Sequence, residues 1–572
     1  MTDKSDKSAI TSECQHISYY LPQWDKNGKC RWVDIQLQHK SLNADAKCIV
    51  PPTKVIPIIF IPGVMGTNLK SSVGEDSWKA ESIKGADTLW FVPKDGHERR
   101  KTLNPDTTTV ENRKTSISSR VHSLFPDNGN LLPTRQERHW GEALYLSYGK
   151  FLEFFQYALL DDWQTDVYRM YSDAKLKQFK RSGVLANLVN RKLGDTHDSP
   201  LTDPELTHFK RFLFSVHVFG YNWLKDNAIS AEELTKYIDD VLDIYKNKHG
   251  YGLAVEKVIL VTHSMGGLVA RYAMNPPEGV EFKGCQDKVL GVVHGVIPDL
   301  GSPAAYRRMK TGAGKEDIPG QVLGGNAEKL MPVLARAPAP LQLLPYPSYP
   351  SRWLKIDGES EYPKVDPFDE IYLRNDVWWK LYQSDIIDSD NAKVRKNWTE
   401  YTELMKGEVK KFMLHQEKGF YHPNTYVFYG DEKESDNYLS WRRVSYKREI
   451  QLSEDALRRL PAVKNVRFEK QSDGKMYVIP TGAVPHYYFK IDDDNVYELV
   501  SSLGKGDSTV PIESLNKIKI HASIKSVLAT NVDHQNAYEL DDTAYSEFSD
   551  AIKFTLRSII KIVQEVDARA AD

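Results

Sequence analysis

The chain has 572 residues, 41% of them hydrophobic, and its 76 Lys and Arg against 78 Asp and Glu leave a net charge of −2. That length exceeds the roughly 100–200 residues of one ordinary domain, and the apolar fraction suffices for a large core. The charge balance creates no field that would collect nucleic acid or an anionic surface, so no nucleic-acid partner is expected. Four cysteines, Cys14, Cys30, Cys48 and Cys285, form no C-x-x-C pair and are too few for a disulfide framework. The opening MTDKSDKSAITSE has no apolar core, so a protein made in the cytoplasm without a signal peptide is expected. No run approaches the ~18 apolar residues of a membrane span.

Residues 1–54 read as an N-terminal extension with a strand hairpin, in which Val33, Ile35 and Leu37 alternate with Asp34 and Gln36. KVIPIIFIPGVMGTNLK then supplies an unbroken apolar run ended by Pro62-Gly63, which suits a strand buried on both faces of a parallel sheet. Residues 95–120 are polar and read as an exposed loop. GKFLEFFQYALLDDW reads as a core helix or part of a lipid-facing cap. A strand over 213–219 leads through a turn to a helix, with Ser230 and Glu233 as its capping box and Leu234, Ile238, Val241, Leu242 and Tyr245 on one face.

A strand over 255–261 runs into THSMGG and a helix from about 266, and KVLGVVHGVIP, NTYVFYGD and IKSVLATNV supply further strands. A closing amphipathic helix covers about 543–566, with Phe548, Ile552, Leu556, Ile559 and Val563 on one side. Strands alternating with helices imply an α/β protein with a mostly parallel central sheet flanked by helices. The wide spacing of the strands places large insertions in the core of 55–572, at about 75–205 (a cap), 300–422 (a lid or acyl-pocket cover) and 432–500 (a hairpin insertion). Within the second, LMPVLARAPAPLQLLPYPSYP holds too many prolines for one regular helix and reads as an apolar cover.

VEKVILVTHSMGGLVARYAM carries the sharpest chemical signal. Strand, tight turn and helix with Ser264 at the apex is the nucleophile elbow G-x-S-x-G, with Thr262 in place of the first glycine. The plainer reading of Ser264 is a helix N-cap. A nucleophilic serine needs a histidine base and an orienting acid, which in the α/β-hydrolase fold follow in the order Ser, acid, His. Asp507 in GKGDSTVP and His534 in LATNVDHQNA each follow an extended segment, at the sheet end where such folds build their sites. Asp431 in VFYGDEKESD is the alternative acid. An oxyanion hole would take the N–H of Met265, after the nucleophile, and that of Val64, or next Met65, in PGVMG.

No metal or cofactor is expected: Gly312 to Lys315 lacks the rest of a phosphate loop, and Asp492 to Asp494 does not complete a calcium loop. His263 and His294 read as packing histidines or as histidines that support the catalytic groups from behind, and Arg271 as a residue that pairs at the surface rather than binding substrate.

PIIFIPGVMGTNL, GYNWLKD, VTHSMGGLVARYAM, YGD, GDSTVP and DHQNA resemble the successive landmarks of the lecithin–cholesterol acyltransferase-like lipases and the GPI-inositol deacylase-type hydrolases. VVHGVIPDLGSPAAYRRMKTGAG is more specifically similar to lipases delivered as antibacterial effectors by type VI secretion. The match lies in short blocks across about 55–70, 213–300 and 425–540, and the insertions match poorly. The resemblance implies an α/β-hydrolase fold and a carboxylic ester hydrolase of phospholipase A type. Ser264, Asp507 and His534 would form its triad, and Val64 with Met265 its oxyanion hole. It also implies a phospholipid substrate, a secretion-apparatus carrier, a cognate immunity protein and export into the envelope (periplasm) of a target cell. Two departures stand out: Thr262 for the first elbow glycine, and Ser508 for the glycine usual in GDGTVP. The rival readings are a lipid acyltransferase or GPI-type deacylase, which would use the same triad, and a hydrolase-fold binding protein that has lost catalysis.

Overall fold

The computed structural model describes residues 52–571 apart from 73–75, 80–93, 115–126, 128, 130–131, 161–183, 196–197, 249–251, 314–323, 388–392, 445–447, 451–465, 471–474, 481–487, 492–494 and 541–547, together with 16–20, 23–24, 30–32 and 44–48. The alternation at Val33 to Leu37 and the Asp492–Asp494 run lie outside the described residues. Near the start, Gln23–Trp24 pairs antiparallel with Cys30–Arg31, and His16–Tyr20 pairs parallel with Ala44–Cys48.

The strands that position the site are, in chain order, β1 (Lys54–Ile61), β2 (Leu213–Val218), β3 (Gly252–Leu253), β4 (Val258–His263), β5 (Val289–Gly295), β6 (Thr425–Gly430), β7 (Lys433–Val444), β8 (Val496–Gly506) and β9 (Ile524–Thr530). The helices are α1 (Gly96–Thr102), α2 (Tyr145–Leu159), α3 (Asn227–Asp243), α4 (Gly266–Met274), α5 (Pro303–Thr311), α6 (Ala327–Leu334) and α7 (Asp550–Val563). β1 lies between β2 and β4, the order continues through β5 and β6 to β9, and every pair is parallel. The two-residue β3 pairs with the start of β1. The chain therefore leaves β1 to one side for β2 and returns to its other side for β4. That reversal opens a crevice at the strands' C-terminal ends, which is where open α/β sheets bind ligands.

Alternation along the strands explains the layers. On β1, Ile56, Ile58 and Phe60 join one buried cluster, while Val55, Ile59 and Ile61 join another on the opposite face. β4 does the same with Ile259 and Val261 against Val258 and Leu260. Burying each such side chain contributes about 1.5–3 kcal/mol, so a continuous apolar run is what a two-faced central strand requires.

Several local expectations are corrected. Helix α3 is capped by Asp226, whose carboxylate accepts from Ala228 N, so Ser230 lies inside the helix and is buried, not a capping box with Glu233. Residues 95–120 are not an exposed loop throughout. Asp95 and Glu98 form a reciprocal capping box that starts α1, and Arg99 is fully buried. The helix lies flush on α6: a Cβ at Gly96 would come within 2.1 Å of the Glu328 carbonyl oxygen. The closing helix α7 starts at Asp550 behind a Ser549 cap. In the Pro-rich run, α6 and a short turn at Pro338–Leu341 are helical, and Leu330, Met331, Leu341 and Leu344 are buried in the cluster that covers the Ile59 face.

β7 and β8 form a long antiparallel ribbon in which Lys433 pairs with Gly506 and Val444 with Val496. Its base sits at the C-terminal end of β6, so the chain departs after Gly430 and returns 77 residues later to the same place, delivering Asp507. The Arg307 guanidinium on α5 bonds Asp436 on the ribbon at 2.6 Å, and Ser302 Oγ donates to the Thr509 carbonyl at 2.6 Å. Among the described residues no helix is long and apolar enough to cross a membrane.

Candidate active site

Ser264 stands at the junction of β4 and α4 with φ +52°, a left-handed conformation that costs a non-glycine residue about 1–2 kcal/mol. The strain is held from two sides: Ser264 N–H donates to the Gly295 carbonyl at 2.9 Å, and Gly267 N–H donates back to the Ser264 carbonyl at 2.9 Å. Ser264 does not cap its helix. The N-cap of α4 is Met265, with no side-chain cap bond, and the serine hydroxyl points elsewhere. Its Oγ lies 2.8 Å from His534 Nε2, and His534 Nδ1 lies 2.8 Å from Asp507 Oδ2.

The Asp507 carboxylate is fully engaged. Asp507 Oδ1 accepts from Thr509 N at 3.1 Å and Val510 N at 2.6 Å, and the Asp507 carbonyl accepts from His534 N at 2.7 Å. His534 is thus tied to Asp507 through ring and backbone alike. All three residues are buried, with Ser264 only 3% exposed, in surroundings where such polar contacts are strengthened.

Asp507 and Asp431 compete for the same strand end, and packing separates them. A Cβ at Gly430 would fall 2.6 Å from Asp507 Cβ, so the end of β6 is bare backbone against which Asp507 lies. Asp431 is carried past it, and its N–H donates to the Thr530 carbonyl at 3.4 Å. Ser508 has φ +79°, the conformation a glycine would hold without strain, and its hydroxyl bonds Asp533 Oδ2 at 2.6 Å.

Thr262 crowds no turn. It is the penultimate residue of β4, fully buried, and its hydroxyl hydrogen-bonds His294 Nδ1 at 2.8 Å. The left-handed residue of the elbow is Ser264, so position 262 asks nothing of its backbone that a β-branched residue lacks.

The PGVMG loop lies beside the serine: a Cβ at Gly63 would approach Ser264 Cβ to 3.0 Å. Gly66 N–H closes a turn onto the Gly63 carbonyl at 3.0 Å, with Met65 at φ +64° as its third residue. Among the described residues no backbone carbonyl accepts from the N–H of Val64, Met65 or Met265. Free amides beside a hydroxyl of this kind can take a developing oxyanion.

Arg271 does not pair at the surface. It is buried against Asp299 in an ion pair, its Nη2 donates to the Gln416 carbonyl at 2.8 Å, and its guanidinium stacks 4.3 Å from the Tyr421 ring centre. Tyr421 donates to the other Asp299 oxygen at 2.8 Å. Asp299→Ala would leave a buried, uncompensated guanidinium, with an expected loss of about 3–5 kcal/mol in urea unfolding.

One residue with site contacts, Tyr148, escapes sequence reasoning. Tyr148 on α2 lies 2.7 Å from His263 Nδ1, and His263 Nε2 lies 2.8 Å from the His534 carbonyl. Tyr148 sits among apolar neighbours that read as ordinary helix core, and only the adjacency of His263 to Ser264 hints at a role. Burial pushes His263 and His294 down to about 3. A histidine depressed in the folded state adds stability that is complete above its unfolded pKa of about 6.5 and is lost as pH falls below it. The two together are expected to steepen acid destabilisation by about 2.7 kcal/mol per pH unit between pH 6 and 4, measured as urea midpoints across that range.

A family model described as PGAP1-like alpha/beta domain matches residues 222–306, the stretch from the start of α3 through the elbow to α5. Over 90 residues the chain is 30% identical to an uncharacterised protein of Saccharomyces cerevisiae, covering 16% of this chain and 11% of the yeast protein. The chain thus spans about a ninth of that relative. It superposes on a chain from the crystal structure of a Tle4–Tli4 complex, with TM-score 0.66 and 24% identity, covering 90% of this chain and 100% of the other. The chain has the α/β-hydrolase fold. The likeness to GPI-inositol deacylase-type hydrolases read from the sequence recurs on the elbow stretch. Within an α/β-hydrolase, the crevice beyond β1 and β4 is where Ser264 and the PGVMG loop meet.

Proposed function

We propose that the protein is a serine ester hydrolase of lipid acyl chains, acting on phospholipids. The observation that carries this reading is the unbroken run from Ser264 Oγ to His534 to Asp507, at 2.8 Å and 2.8 Å, at the apex of a strained elbow. Ser264 Oγ attacks the ester carbonyl while His534 Nε2 takes its proton, and Asp507 holds the tautomer and stabilises the imidazolium. The N–H groups of Met265 and Val64 bind the oxyanion, each worth about 3–4 kcal/mol of barrier. His534 returns the proton to the leaving alcohol, and a water activated by the same imidazole then releases the acid from Ser264.

The lipid substrate is supported by the resemblance of the motifs to lipases. The apolar cover over 327–349 would shield acyl chains, at about 0.8 kcal/mol per buried CH₂. Ser264 is only 3% exposed, so a lipid ester reaches its hydroxyl only once the groups around it move aside. We further propose delivery by type VI secretion into a rival's periplasm and neutralisation by a cognate immunity protein. The structural neighbour, itself solved in a complex with a second protein, Tli4, supports a protein partner.

The test is incubation of the purified protein with vesicles of phosphatidylethanolamine and phosphatidylglycerol, with products read by mass spectrometry. Release of fatty acid and lysophospholipid by the wild type and not by Ser264→Ala is expected. Absence of any acyl release, or equal release by both proteins, would overturn the reading.

A further inference from the structure

Behind the triad runs a second buried chain of hydrogen bonds that the proposed mechanism does not use. Gly63 N–H donates to Tyr148 Oη at 3.1 Å, Tyr148 Oη meets His263 Nδ1 at 2.7 Å, and His263 Nε2 meets the His534 carbonyl at 2.8 Å. The direction of every bond is forced. A carbonyl only accepts, so His263 Nε2 carries a hydrogen. Burial keeps the ring neutral, with its value pushed down to about 3, so Nδ1 is a lone pair. Tyr148 must therefore donate its hydroxyl hydrogen to Nδ1, and its oxygen is left to accept the Gly63 amide.

Two consequences follow from that polarity. The Gly63 amide is committed to Tyr148 and cannot serve an oxyanion, which leaves that task to the turn it anchors at Val64 and Met65. The His534 backbone is also gripped on both sides, with its N–H on the Asp507 carbonyl and its own carbonyl on His263. The network therefore joins the loop after β1, the last residue of β4 and the loop after β9 to one tyrosine on α2. We propose that Tyr148 and His263 are positioning residues that set the spacing between the oxyanion turn and the base. This rests on the hydrolase reading given above. Donors held a few tenths of an ångström off lose transition-state stabilisation without losing substrate binding.

Tyr148→Phe removes one oxygen and keeps the ring packed against Phe60, 5.1 Å away between centroids, and against His263 at 5.6 Å. The expected result is a fall in kcat of about 10- to 100-fold with KM within about twofold, and a matching slowing of phosphonylation of Ser264 by a fluorophosphonate. His263→Phe keeps an aromatic ring in place but removes both the donor for the His534 carbonyl and the acceptor for Tyr148, so it should cost at least as much as Tyr148→Phe does. The double variant should cost no more than His263→Phe alone, because both break one unit. A purely structural role would lower the thermal midpoint while leaving kcat per folded active site unchanged.

Folded Tyr148→Phe with kcat within about twofold of wild type overturns the proposal, as do fully additive losses in the double variant. Ser264→Ala, run alongside on the same ester, separates the two readings. If Ser264→Ala is inactive and Tyr148→Phe is wild-type-like, only the positioning role fails. If Ser264→Ala retains activity, the hydrolase mechanism itself fails.

Discussion

Ser264→Ala is expected to lower kcat for ester cleavage by on the order of 10⁶-fold, because without the hydroxyl no acyl-enzyme forms and the rest of the triad has nothing to activate. The fold should survive. The serine hydroxyl holds no helix amide, since Met265 is the N-cap of α4, and the strained φ of +52° is imposed by backbone bonds to Gly295 and Gly267 that alanine also makes. What is lost structurally is one hydrogen bond to His534, worth about 1 kcal/mol. Kinetics on a soluble nitrophenyl ester, with near-ultraviolet circular dichroism as the folding control, would check both halves. A well-folded variant that still turns over at the wild-type rate would remove Ser264 from the mechanism.

Asp507→Asn is expected to lower kcat about 10⁴-fold at neutral pH, while Asp431→Asn stays within about twofold of wild type. The asymmetry follows from the hydrogen bonds. Asp507 Oδ1 accepts two backbone N–H groups, so an asparagine would place its carbonyl oxygen there and turn its NH₂ towards His534 Nδ1. An NH₂ can only donate, which selects the imidazole tautomer with the proton on Nε2. That nitrogen could then no longer accept from Ser264. Asp431 lies past the bare backbone of Gly430 and meets no part of this arrangement. Parallel kinetics on the two variants decide the matter: an inactive Asp431→Asn with an active Asp507→Asn would reverse the assignment.

Much of this molecule follows from residue order alone. An unbroken apolar run such as Val55 to Ile61 has no polar face to offer water, so it must be a two-faced strand, and the strands so marked are those of the parallel sheet. Ser264, Asp507 and His534 were legible as candidates because each follows an extended segment, and strand ends are where such a sheet gathers its chemistry. Local signals could also mislead. Ser230 with Glu233 spelled a capping box, yet Asp226 starts the helix four residues earlier, its carboxylate also accepting from Gln342 across a long sequence gap. Asp95 with Glu98 spelled one too, but lay in a stretch whose polarity suggested a loop.

Sequence by itself determined the layer architecture, the elbow and the order of the chemical groups, because periodicity and turn chemistry act between near neighbours. Only the tertiary structure sets Asp507, and not Asp431, against His534, since that contact depends on the β7–β8 ribbon returning the chain to the bare end of β6. It also decided that Thr262 sits in a strand while Ser264 takes the strain, that Arg271 is buried on Asp299, and that Tyr148 reaches His534 through His263. Each of these rests on contacts between residues far apart in the chain, whose geometry no local pattern encodes.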